Sequence, residues 1–213
     1  STFAVRASDQ VAPTITAVTL ATDNSTIAVT LDEVVFNTSS SSGSLEASDF
    51  ALSISGGRAT LSSATPTSIS ASGNIYTLGI GLSGTPDGSE VLTAVPVDNG
   101  IYDAAGNEAS TTQSYNTVTL NDKLAATISS VALASNNATI AVTFTEAVYT
   151  TTDASTALIV GDFSLSISGG TATMSSATPT SISASGNVYT LGIGLSGTPS
   201  GSEVLTVVPV DNG

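Results

Sequence analysis

An internal duplication constrains this chain more than any single residue does. The stretch SSATPTSISASGNIYTLGIGLSGTPDGSEVLTAVPVDNG, ending at Gly100, returns almost unchanged as SSATPTSISASGNVYTLGIGLSGTPSGSEVLTVVPVDNG, ending at Gly213. The offset is 113 residues (213 − 100), and it aligns Ala21 with Ala134, Glu33 with Glu146 and Phe50 with Phe163 without a gap. Roughly three-quarters of positions 21–100 are identical in the second copy. Upstream, Asp9 falls on Asp122 and Ile15 on Ile128. A period this long exceeds the roughly 20–50 residues of a solenoid unit and matches a whole domain of ordinary size. Two copies with separate cores are therefore expected. Divergence concentrates where NTSSSSGSLEAS (37–48) faces TTTDASTALIVG (150–161), as expected of an exposed loop.

Within each copy the apolar residues alternate with polar ones, the signature of half-buried strands. TIAVTL (26–31) places Ile27, Val29 and Leu31 on one face, and FALSI (50–54) places Phe50, Leu52 and Ile54 inward. IYTLGIGL (75–82) aligns Tyr76, Leu78, Ile80 and Leu82. TITAVTL (14–20) sets Ile15 against Val18 and Leu20, which predicts a bulge or a phase shift. VLTAVPV (91–97) contains Pro96, which cannot donate to a ladder and predicts an edge or a strand end. Near 114–120, Val118 and Leu120 share a face. Turn sequences such as SGG, SGN, SGTPDG and DNG separate these runs, and no window has a capped 3.6-residue apolar period. The fold class expected is all-β: two tandem immunoglobulin-like β-sandwich domains of about seven strands each.

Charge narrows the function. Seventeen acids against three bases (Arg6, Arg58 and Lys123) give a net charge of -14. Phosphate binding needs clustered Lys and Arg, so no nucleic-acid partner is expected. No stretch approaches the roughly 18 apolar residues of a membrane span, so direct membrane insertion is not expected either. The chain has no Cys and no His, which rules out disulfides, thiol nucleophiles, imidazole bases and Ser-His-Asp triads. The acids shared by both copies, Asp9, Glu33, Asp49, Glu90 and Asp98, are expected at strand ends and turns, not converging in a hydrolytic cleft. A non-enzyme is expected. A crosslink between Lys and an amide would need a repeated Lys, but Lys123 aligns with Gln10. Sequons begin at Asn24, Asn37 and Asn137.

Four segments occur in a characteristic order: TIAVTFTEAVY (139–149), GDFSLSISGG (161–170), NVYTLGIGL (187–195) and, in the first copy, IYDAAGNEAS (101–110). An apolar strand running into Glu-Ala-Val, a central Asp-Phe and a late Asp-x-x-Gly-Asn resemble the bacterial Ig-like tandem repeats of large secreted adhesins and surface-layer-associated proteins. The resemblance covers nearly the whole chain. It implies an extended, exported, cell-surface protein built from sandwich repeats, and it implies no particular ligand.

The two copies differ in phase. Repeat 1 spans 9–121. Repeat 2 spans 122–213 and has no counterpart of residues 101–120, which hold the Asp-x-x-Gly-Asn turn and the last strand. Residues 1–8 align with 114–121, putting Val5 on Val118. The N-terminal segment therefore reads as a final strand. Two arrangements are open. In one, the sequence is cut from a longer array of adjacent repeats. In the other, Thr2, Phe3, Ala4, Val5, Arg6 and Ala7 of one molecule form a donor strand for the second repeat of the next, and a contact that does not close makes a filament.

Calcium is the one metal the side chains suit, since only oxygen ligands are available. The candidates are Asp98, Asn99, Asp103, Asn107 and Glu108 in DNGIYDAAGNE, with Asp122 at the junction of the repeats. The spacing is not that of an EF-hand loop, and an acidic turn satisfying its own backbone has the same composition. The expected role is a non-catalytic spacer in an extracellular fibre or adhesin stalk. The alternatives are a pilus-like subunit assembled by strand donation and a carbohydrate- or surface-binding module. The last would need exposed aromatics, and most of the five Tyr and five Phe fall on inward positions.

Overall fold

A computed structural model describes residues 8–210. The proposed donor residues Thr2 to Ala7 lie outside that range. The described residues contain strands, turns and two short 3-10 turns, Ala47–Asp49 and Val160–Asp162, with no α-helix. Among the described residues no helix is long and apolar enough to cross a membrane. The chain divides into two compact units between Leu124 and Ala125.

Unit 1 contains β1 (Ile15–Leu20), β2 (Thr26–Leu31), β3 (Phe50–Ser55), β4 (Thr60–Leu61), β5 (Ile69–Ser72), β6 (Ile75–Gly79), β7 (Leu82–Ser83), β8 (Val91–Pro96) and β9 (Thr117–Thr119). Its sheets have the orders β1-β2-β6-β5, β3-β8-β9 and β4-β7, all antiparallel. The alternation in 26–31 becomes the inward face of β2, where Ile27, Val29 and Leu31 are buried. These residues share a core with Phe50 and Leu52 of β3 and with Leu92 and Ala94 of β8, so the two larger sheets close on one apolar interior. The phase change in β1 is a register shift between Ile15 and Ala17, opposite Leu31 and Thr30.

One expectation needs correction. The run 75–82 is not one strand. β6 ends at Gly79, whose N–H donates to the Ser68 carbonyl, and the Ile80 N–H donates to the Ser25 carbonyl. Leu82 then begins β7 against β4. At Gly79 and Gly81 any side chain would strike Thr67, Ser68 or Ser62, so the strand breaks where the chain must pass close to a neighbour. The expectation for Pro96 holds as a strand end and not as an edge, since β8 is a central strand between β3 and β9. β8 tolerates Pro96 because that residue is its last.

Unit 2 repeats the plan. β10 (Ile128–Leu133), β11 (Thr139–Phe144), β12 (Phe163–Ser168), β13 (Thr173–Met174), β14 (Ile182–Ser185), β15 (Val188–Gly192), β16 (Leu195–Ser196) and β17 (Val204–Pro209) form sheets β10-β11-β15-β14, β12-β17 and β13-β16. Registers repeat residue for residue: Phe50 opposes Pro96 as Phe163 opposes Pro209. The bulge recurs between Ile128 and Ser130. Phe144, Phe163 and Tyr189 gather in an aromatic cluster, with Phe144 edge-on to Tyr189 at 5.7 Å between centroids.

Candidate functional site

The units differ along one strand. In unit 1, β8 is covered by β9: Val91, Leu92 and Thr93 oppose Thr119, Val118 and Thr117. The ladder continues past both ends of β9. Ala94 N–H donates to the Asn116 carbonyl at 2.9 Å, the Asn116 side-chain amide donates back to the Ala94 carbonyl at 2.9 Å, and Leu120 N–H donates to the Glu90 carbonyl at 2.9 Å. In unit 2, no strand lies opposite the outer side of β17 among the described residues.

Exposure follows from that difference. Leu92, Ala94 and Pro96 are buried, while their counterparts Leu205 and Val207 are half-buried and Pro209 is exposed. Across the sheet, Val18 and Leu20 are half-buried, whereas Val131 and Leu133 are each 52% exposed. Among the described residues the core of unit 1 holds sixteen buried residues and that of unit 2 eight. Ile101, Ala109 and Leu120, which belong to the closing segment of unit 1, account for three of the difference.

Two cavities mark the uncovered ground. One, of about 430 Å³, is lined by Leu133, Asn137, Leu195, Pro199, Glu203 and Leu205 among others. Residues 120–123 cover the same place in unit 1. There Asn121 N–H donates to Asn24 Oδ1 at 2.9 Å, Asn24 Nδ2 donates to the Asn121 carbonyl at 2.8 Å, and Lys123 N–H donates to the Pro86 carbonyl at 2.9 Å. The other cavity, of about 360 Å³, is lined by Phe144, Val148, Leu158, Phe163 and Pro209 among others. The unit 1 counterparts Leu31, Val35, Leu45 and Phe50 share their core with Ile101 and Ala109.

The six candidate calcium ligands do not converge. Asp98, Asn99 and Glu108 hold one turn: the Asn99 N–H donates to Glu108 Oε1, and Asn99 Nδ2 donates to Asp98 Oδ2 at 2.9 Å. Asp103 and Asn107 hold the next. Asp103 is fully buried, and its carboxylate accepts the N–H of Ala105 and of Asn107 and the Asn107 side-chain amide. These bonds outweigh burial and hold the Asp103 carboxyl below its ordinary range. Asp122 lies elsewhere, beside Gly88, and accepts the Leu124 N–H. The carboxylates that do meet are Asp9, Glu33 and Asp103, within 4.8 Å of one another. Burial and the charges of Asp103, Asp32 and Asp9 push the Glu33 carboxyl up. Calcium takes six to eight oxygens, so backbone carbonyls or water would have to complete a shell there.

Sequence reasoning missed the role of Glu90. Expected at a strand end or turn, it directly precedes β8 and is 0% exposed. Its carboxylate accepts the N–H of Arg58 at 2.7 Å, of Ala59 at 2.8 Å and of Asp87 at 3.1 Å. Although burial opposes ionisation, these bonds hold its pKa at about 2. Gly57 must be glycine, because its φ is +58° and Glu90 occupies the space a side chain would need. Unit 2 repeats the device: Glu203 accepts from Thr171, Ala172, Ser200 and Gly201, beside Gly170. The signal was the joint recurrence of SGG and Glu in both copies. The Asn24 sequon is also spoken for, since Asn24 is buried and bonded to Asn121. No family model, curated protein or solved structure matches the chain.

Proposed function

We propose that this chain is a non-catalytic spacer, two Ig-like sandwich repeats of an extracellular fibre or adhesin stalk. The observation that carries the reading is the recurrence of one strand plan in identical register, each copy around its own apolar core. A role that depends on length and stiffness is served by repeating a module; a role that depends on a pocket is not. Neighbouring repeats of the same kind are its partners on this reading. The acidic surface keeps long molecules apart in solution. Calcium at Asp9, Glu33 and Asp103 would be its cofactor, tested by melting in calcium and in chelator.

A carbohydrate-binding role finds less support. Among the described aromatics only Tyr115, at 77%, and Tyr149, at 48%, are exposed large rings, whereas sugar sites usually present stacking platforms. Small-angle scattering on arrays of one, two and four copies of 9–121 tests the spacer. A maximum dimension that rises in constant steps supports it, and arrays that collapse into a globule rule it out.

A further inference from the structure

We propose that β5 and β14 are self-recognising edges, through which folded copies of this chain pair side by side, strand to strand. β5 of one molecule lies antiparallel along β5 of another, with Ile69 opposite Ala71 and Ser70 opposite its own copy. Two four-stranded sheets then become one continuous sheet. The occupant is a second copy of this chain. The inference goes beyond the spacer reading and does not rest on it.

β5 ends its sheet, with β6 on one side and no strand on the other among the described residues. Its pairing with β6 continues past the strand: the Gly79 N–H donates to the Ser68 carbonyl and the Thr67 N–H to the Gly79 carbonyl. The edge therefore runs from 67 to 72. Bonded positions alternate along an antiparallel ladder. With Ser68 bonded to Gly79, Ser70 and Ser72 turn their backbone groups toward β6, and Ile69 and Ala71 turn theirs outward. Unit 2 repeats each feature. Residues 175–187 are identical to 62–74, the Gly192 N–H donates to the Ser181 carbonyl, and β14 ends its sheet.

A sheet edge is a template for pairing, and proteins blunt it with charge, Pro, a bulge, a covering loop or brevity. β1, β3 and β9 are each blunted. β1 carries the bulge between Ile15 and Ala17. β3 is covered where its Leu52 N–H donates to the Ala64 carbonyl, and β9 is three residues long. β5 has no charge, no Pro and an unbroken register. Its Ser70, Ala71 and Ser72 are small and exposed, and open space surrounds Gly73 at its end.

Charge selects the occupant. Seventeen acids against three bases make two copies repel wherever those charges face. No charged residue lies between Arg58 and Asp87, or between Asp162 and Glu203, and both edges fall inside these runs. A charged partner finds no counter-charge there. An identical strand finds its complement: pairing about Ser70 sets the outward groups of Ile69 on those of Ala71 and keeps the core-facing sides of both sheets together. Strand addition of this kind draws its affinity from main-chain bonds. Two such edges in one chain add avidity.

The test uses the intact 213-residue chain, with sedimentation equilibrium for association and amide hydrogen exchange for its location. Reversible association is expected near about 0.1 mM, as for a small interface. It should tighten about threefold or more between about 0.05 M and 0.5 M NaCl, because salt screens the repulsion of like-charged copies. The amides of Ile69, Ala71, Ile182 and Ala184 should exchange freely in the monomer and gain protection on association. Ser70→Lys combined with Ser183→Lys sets like charges opposite each other and should abolish association. Thr19→Lys combined with Ala132→Lys adds the same charge at exposed positions of β1 and β10, the far edges of the same sheets, and should leave association intact. The proposal is overturned by any one of four results: no reversible association up to about 1 mM in about 0.5 M NaCl; protection that leaves Ile69 and Ala71 unchanged; association that survives the Ser70 and Ser183 changes; or equal loss in the Thr19 and Ala132 variant.

Discussion

Asn24 and Asn121 hold each other by two complementary bonds, Asn121 N–H to Asn24 Oδ1 at 2.9 Å and Asn24 Nδ2 to the Asn121 carbonyl at 2.8 Å. Asn24 is buried in doing so, whereas Asn137 makes no such pair among the described residues. Asn24→Ala leaves backbone groups unpaired and should destabilise unit 1 by about 2–3 kcal/mol. Asn137→Ala should cost only the left-handed turn, about 1 kcal/mol. Amide exchange resolved by unit measures both, and equal losses would contradict the asymmetry.

Leu92 and Leu205 are the same residue in a closed and an open setting. Leu92→Ala removes a side chain that is fully buried and should cost unit 1 about 2–5 kcal/mol. Leu205→Ala removes one that is half-buried and should cost unit 2 about 1 kcal/mol. Urea unfolding followed by exchange in each unit separates the two.

The Glu90 staple sets an acid limit. Its folded pKa of about 2 lies below the ordinary 4.5, so between those values the unfolded chain binds the extra proton. The stability it contributes is complete above about pH 4.5 and is lost as pH falls toward 2. Glu203 is held low in the same way, by the N–H groups of Ser200 and Ala172. Glu90→Gln should lower unit 1 stability at pH 7 by about 2 kcal/mol and flatten its acid limb, as read from denaturation at stepped pH.

Gly57→Ala should be worse than a left-handed alanine alone. The new methyl meets the Glu90 carboxylate, so the loss should exceed the roughly 1 kcal/mol of the turn itself. Pairing it with Glu90→Ala should recover part of that loss, and a double-mutant cycle reads the coupling.

Glu33 sits among like charges, which raise its pKa together with burial. A carboxyl that binds its proton more tightly when folded opposes folding once ionised. Glu33→Gln should therefore raise the stability of unit 1 at pH 7 in chelator by about 0.5 kcal/mol, read as a higher unfolding midpoint. If calcium binds there, added calcium should stabilise the parent more than this variant.

Much of the fold was legible because the period of two is an unambiguous signal on short strands. Ile27, Val29 and Leu31 alternate cleanly, and all three are buried. The bulge in β1 was legible as a broken phase. The break after Gly79 was not, because Ile80 keeps the alternation and its N–H still bonds Ser25, next to the partner of Gly79. Glu90 lies directly before β8, as the strand-end reading has it, but its burial was not legible, because composition alone places acids at the surface. Only three-dimensional convergence of the Arg58, Ala59 and Asp87 N–H groups makes a buried carboxylate favourable. The uncovered outer side of β17 among the described residues follows the phase of the repeat.

The identical register of β3 on β8 and of β12 on β17 also means that strands are interchangeable during folding. Phe50 could align with Pro209 in the same register as with Pro96, since the partner sequences differ at one position, Ala94 against Val207. Only chain connectivity separates native from exchanged pairings. The exchanged pairing closes a loop roughly three times longer, which disfavours it by about 1 kcal/mol. Near-identical repeats thus leave the correct partner chosen by proximity along the chain, and refolding at high concentration, where proximity is no longer intramolecular, should yield swapped oligomers.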